Sequence, residues 1–153
     1  VKARTYRKHV ANKLKESAES IPALTADMAY SNNSAAGKAV DAIITDLPGL
    51  VAVAVVDITS GMALASHSNS PSINPETAAA YNTEVVRQKQ KAMTALKLQD
   101  ETIEDILITL TNQLHLLKLN SEGNKFIYLV VNSREVNLAI AREVLRAHVE
   151  EIN

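Results

Sequence analysis

Four histidines, His9, His67, His115 and His148, are the side chains best suited to proton transfer or metal ligation near neutral pH. None has a partner at metal-ligand spacing, so His115 and His148 read as surface or partly buried residues rather than ligands. Asp57, Ser66, His67 and Ser68 flank one hairpin and allow a Ser–His–Asp arrangement to be imagined. Acyl transfer also needs a strained nucleophile elbow and oxyanion donors, and no stretch supplies them. Gly37, Gly49, Gly61 and Gly123 are scattered, so there is no phosphate-cradling loop or P-loop lysine motif, and the chain is not expected to hydrolyse nucleotides itself. Glu150 and Glu151 beside His148 read as a solvated helix end, where acids oppose the helix dipole. Cysteine is absent, which removes disulfides, thiolate nucleophiles and Cys-based zinc sites. No catalytic residue, cofactor-binding residue or metal ligand is assigned. The expectation is a protein that is not an enzyme and uses no cofactor.

Charge is the next clue to a partner. The chain of 153 residues has a formal net charge of −1. Residues 1–15 carry Lys2, Arg4, Arg7, Lys8, Lys13 and Lys15 with no acid, about +6, which leaves about −7 for the rest. Such an arm suits an acidic partner, an anionic membrane surface or phosphates, and Arg4, Arg7, Lys8 and Lys13 are assigned to partner or membrane contact. Four tyrosines and Phe126 are too few for a base-stacking platform, so specific nucleic-acid binding is not expected. No run of 18 apolar residues marks a transmembrane segment, and no apolar stretch after the basic start marks a signal peptide. A cytoplasmic location is the expectation.

The elements that must position any site are legible. Residues 5–21 have Tyr6, Val10, Leu14 and Ile21 near one helix face, Pro22 ends that pattern, and residues 30–37 form a polar linker. The expected division is therefore a basic helix and linker over 1–36 and a domain over 37–153. Within that domain, residues 39–46 form a short helix ended by Pro48-Gly49. Residues 50–56 form a β-branched strand buried on both faces. Asp57 to Gly61 supply turn chemistry, and residues 62–67 return as a second strand. Asn74-Pro75 opens a long helix running to about Leu96. Its apolar arc spans roughly 150°, wider than the ~100° stripe one buried face needs, with Lys89 and Asn82 inside it. Such a helix should touch both a sheet and a second body. Three strands follow at 103–111, 113–119 and 125–131, then a last helix capped by Asn132 or Ser133 and ending near Ile152. The order α-β-β-α-β-β-β-α predicts a three-layer α/β (α+β) domain with helices on both sides of a five-stranded antiparallel sheet.

Residues 38–153 resemble the roadblock family of dynein-light-chain-like modules, whose fold is profilin-like. The resemblance rests on element order and on three stretches: Leu47-Pro-Gly-Leu-Val-Ala-Val-Ala-Val-Val-Asp57, Ile106-Leu-Ile-Thr-Leu-Thr111 with Leu114-His-Leu-Leu117, and Val136-Asn-Leu-Ala-Ile-Ala-Arg142. One departure is the first hairpin, where many relatives have Asp-x-Asp-Gly and this chain is one residue longer. The resemblance implies a homodimer in which the long helices pack together and the strands at 106–111 pair across a two-fold axis. Tyr81, Val85, Lys89, Ala92, Ile106, Ile108 and Leu110 would form that interface. A strand so apolar and free of proline is an aggregation hazard as an open edge, and pairing with its twin removes the hazard. The resemblance also implies a non-catalytic scaffold or regulator of a small Ras-like GTPase, or of another protein. Two alternatives are a small-molecule sensor and a membrane-associated adaptor using the basic helix.

Overall fold

The computed structural model describes residues 33–153. The expected helix at 5–21, and with it Arg4, Arg7, Lys8 and Lys13, lies outside the described residues. The elements are α1 (Ala35–Asp46), β1 (Leu50–Asp57), β2 (Ala63–Ser68), α2 (Pro75–Ala95), β3 (Asp105–Thr109), β4 (Gln113–Leu119), β5 (Lys125–Asn132) and α3 (Leu138–His148). A 3-10 turn, Val149–Ile152, follows α3. The five strands form one antiparallel sheet in the order β2-β1-β5-β4-β3.

Alternation along the strands sorts two cores. Ala54 and Val56 of β1, Phe126 and Tyr128 of β5, and Leu117 of β4 pack with Ala79 and Val86 of α2. Their neighbours Val53, Val55, Leu116, Ile127 and Leu129 point to the opposite side and are fully buried. On that side α1 and α3 pack together and bring in Val40, Ile43, Ala141 and Leu145. The expected burial of β1 and β5 on both faces is what the molecule has.

Helix starts are set by short polar side chains. Asn74 Oδ1 accepts from the Thr77 amide at 3.0 Å, with Pro75 in the first turn, as its sequence indicates. Helix α1 begins at Ala35, four residues before the expected start, because Ser34 Oγ accepts from the Gly37 amide at 3.0 Å. Residues 35–37, read as linker, are its first turn. The last helix starts later than expected. Asn132 uses its side chain to accept from the Arg134 amide and its carbonyl to accept from Glu135 and Val136, which makes a turn. Asn137 then caps α3 by accepting from the Ala139 amide at 2.8 Å.

The longer first hairpin closes through Asp57. Its Oδ2 accepts from the Ser60 hydroxyl at 2.7 Å and the Ser60 amide at 2.8 Å. These bonds, the hydroxyl's first, hold the Asp57 carboxyl below its ordinary range. Gly61 has φ of +73°, as its place in the turn predicts. Helix α2 grips this turn from the side: Arg87 Nη2 donates to the carbonyls of Ile58 at 2.6 Å and Thr59 at 2.7 Å. At the far end, His148 sits between Asp46 of α1 at 2.7 Å and Glu151 at 3.0 Å. Burial alone pulls the His148 imidazolium down. The hydrogen bonds and charges of Asp46 and Glu151 outweigh it, so the net displacement is upward from 6.5.

Two outcomes are expected. A Cβ at position 61 has room, its nearest neighbour being Thr83 at 3.7 Å. The Gly61→Ala cost is therefore backbone strain of about 1 kcal/mol, read as a lower urea midpoint. For His148 the folded state favours the imidazolium, so its stabilisation is full below the unfolded value and is lost as pH rises through the raised folded one. His148→Gln should therefore lower the urea midpoint at pH 6 and have little effect at pH 8.5. An equal loss at both values would show that charge is irrelevant there.

Candidate functional site

The sheet has an apolar edge at β3. This strand pairs with β4 in the register Ile106↔Leu117, Leu107↔Leu116 and Ile108↔His115. Among the described residues no strand takes its other edge. It is shorter than the expected 103–111 span, and Ile103 reaches the α2-side core from the preceding segment. Ile106 and Ile108 are half-buried on that same side, and Leu110, just past the strand, is exposed.

Helix α2 packs over β1 and β2, and its fully buried positions Pro75, Ala79, Thr83 and Val86 all lie before Arg87. The remainder of the wide arc is uncovered. Tyr81 is 75% exposed and Val85 40%; Lys89 is also exposed, and Ala92 and Met93 are half-buried. Between this flank and β3 lies a groove of about 780 Å³, lined on the helix side by Val85, Lys89 and Met93 and on the strand side by Ile103 and Ile106. Arg142 and Arg146 of α3 close its outer end. Arg142 donates to both oxygens of Asp105 at 3.0 and 3.1 Å, a bidentate pair that fixes the first residue of β3 to the helix behind it.

Under α2 the sheet carries one polar group of side chains. The Tyr128 hydroxyl lies 2.8 Å from His115 Nδ1, and His115 Nε2 lies 2.9 Å from Gln113 Oε1. Burial pushes the Tyr128 phenol up to about 12, against a smaller opposing effect of Asn82 on α2, and burial lowers the His115 imidazolium.

Of the seven residues assigned to an interface, the groove gathers Val85, Lys89 and Ile106. Tyr81 and Ala92 stand elsewhere on α2, and Ile108 and Leu110 continue along the strand. Sequence reasoning assigned no role here to Leu98, Ile103, Arg142 or Arg146. The one signal for Arg142 was its stretch Val136 to Arg142, and its partner Asp105 is 37 residues away. The imagined Ser–His–Asp arrangement does not assemble. Ser66 donates to Glu76, His67 bonds to Asn69, and Asp57 is held by Ser60. Among the described residues no three His, Asp or Glu side chains are placed to hold a metal ion, and no helix is long and apolar enough to cross a membrane.

No protein-family model matches the chain. No curated protein matches it either. Solved structures do. A roadblock/LC7 domain from Streptomyces avermitilis is 13% identical with a TM-score of 0.62, over 75% of this chain and 92% of that one. The gliding protein MglB from Thermus thermophilus is 17% identical with a TM-score of 0.62, over 77% of this chain and 85% of that one. An MglB structure with a tetrameric arrangement is 13% identical with a TM-score of 0.65, over 82% and 91%. At such identities the likeness is one of backbone, and its meaning is plain: the chain has the roadblock fold, a five-stranded antiparallel sheet between helical layers.

Proposed function

We propose that this chain is a non-catalytic protein-interaction module that acts as a homodimer and scaffolds or regulates a small Ras-like GTPase. The observation that carries the reading is the apolar edge of β3, which no strand among the described residues pairs, continuous with the groove beside the exposed flank of α2. An edge strand offers a row of free N–H and C=O groups to any compatible strand. Pairing with a second copy of itself about a two-fold axis satisfies both rows at once and joins two five-stranded sheets into one. The same operation brings each exposed α2 flank toward the partner's groove, so one symmetry element covers both features. The GTPase part rests on the resemblance to roadblock modules, and the joined sheet with its outward helices is the surface proposed for it.

Light scattering across a dilution series tests the dimer. The expected mass is about twice the 16.6 kDa of one chain. Val85→Asp places a charge at an exposed position, so the protomer should fold normally while association weakens by about 3 kcal/mol, roughly a hundredfold in Kd. A wild-type chain that stays monomeric at every concentration would sink the reading. With the dimer established, nucleotide release and hydrolysis are measured on purified Ras-like GTPases from the same source. No change in either leaves an interaction module and removes the GTPase from its function.

A further inference from the structure

We propose that the contact between protomers is gated by the protonation of His115, so that acidification releases the dimer; this rests on the homodimer reading above. His115 lies on β4 directly across from Ile108 of β3 and beside Val130 of β5. Its ring shares the α2-facing side of the sheet with Tyr128 and is only half-buried, on the strand next to the open edge. That is the flank a second protomer would cover.

The hydrogen bonds define one protonation state. Gln113 Oε1 accepts, so Nε2 carries the hydrogen, and Nδ1 is left as an acceptor for the Tyr128 hydroxyl. Every atom of this chain of bonds is satisfied in the neutral ring. A second proton on Nδ1 turns an acceptor into a donor facing a hydroxyl that must then reverse. Tyr128 is 2% exposed, so its displaced hydrogen has little access to water.

No carboxylate is hydrogen-bonded to the ring: its two nitrogens are taken by Tyr128 and Gln113, and of the groove's acids Glu104 precedes β3 and Asp105 is held by Arg142. Helix α2 presents Asn82 beside the Tyr128 hydroxyl and the cation Lys89 on the groove. Strand β3 presents Ile106 and Ile108; its Asp105 alternates to the other side, where Arg142 holds it. Strand β5 presents Tyr128, and β4 itself presents Gln113 and Leu117, with Lys118 on the opposite face. In a single protomer, water reaches the half-buried ring and can solvate an imidazolium. Beneath a partner that water is excluded, and the charge would be enclosed with no anion hydrogen-bonded to it. Association and proton uptake therefore oppose each other. The neutral ring is favoured by burial even before a partner arrives.

The test is the dimer Kd of the full chain by sedimentation at pH 7.5 and pH 5.5, for wild type and His115→Gln. Gln cannot titrate and keeps an acceptor for Tyr128. Wild type should weaken about tenfold or more at the lower pH, since a dimer carries two such rings, and the variant should change less than about twofold. The other histidines, His9, His67 and His148, are common to both proteins, so the comparison isolates His115. As a measurement independent of the variant, NMR titration of His115 should give a lower apparent pKa above the dimer Kd than below it. A dimer present at pH 7.5 with the same Kd at pH 5.5, or a His115 titration blind to concentration, overturns the gate and leaves the dimer standing. A monomer at pH 7.5 overturns the homodimer itself, and the gate with it.

Discussion

Two strands buried on both faces set the terms for this molecule. Strands β1 and β5 lie side by side at the centre of the sheet with side chains of Val, Ile, Leu, Phe and Tyr on either side. Each such side chain contributes about 2 kcal/mol when fully withdrawn from water, so helices are required above and below. The two sides meet that demand unequally. Helices α1 and α3 share one face, whereas the other has α2. A helix is about 10 Å thick, and five strands at about 4.8 Å spacing span roughly 20 Å. One helix centred on β1 and β2 cannot reach β3. The groove beside β3 follows from that mismatch of widths.

Apart from the His115–Tyr128 bond within the sheet, the polar ties between elements named above hold element ends and turns. Arg87 joins α2 to the first hairpin turn, Arg142 joins α3 to the start of β3, and His148 joins α3 to the end of α1. They differ in kind from the helix-surface pairs Arg87–Glu84 and Arg146–Glu143, which are exposed and contribute about 0.3–0.5 kcal/mol each. The chain end is secured in the same manner. Asn120, 4% exposed, donates to Asn124 and to Asn153, Lys125 reaches the Ile152 carbonyl, and Ser121 binds Glu150. The turn between β4 and β5 is thereby stitched to the 3-10 turn and to Asn153.

Much of the architecture was legible because β-branched runs and helical periodicity leave few alternatives. Leu50 to Val56 has no polar position to turn toward water, and Asn74-Pro75 combines a cap with a residue that favours the first turn. Capping residues that compete were harder. Ser34 sits in a polar run that reads equally well as linker, and Asn132 and Asn137 are both good caps, so only the turn made by the first hands the cap to the second. Within the candidate site, the apolar arc of the long helix and the alternation of 103–111 pointed to a second contact, and the roadblock resemblance assigned Val85, Lys89 and Ile106 to it. The Arg142–Asp105 pair and the His115–Tyr128 bond join residues on different elements, and no periodicity encodes such meetings.

The central pairing also governs how the chain reaches this state. Strand β1 is followed at once by its hairpin partner β2, but its other neighbour, β5, begins only at Lys125. Two local pieces, the β1–β2 hairpin with its flanking helices and the β3–β4–β5 meander, have low contact order and can form early. Their junction closes the longest loop in the sheet and comes late. During synthesis on the ribosome, the most apolar strand of the first piece is thus made early and stays half-clothed until β5 has emerged. In that interval its bare edge is a natural target for chaperones.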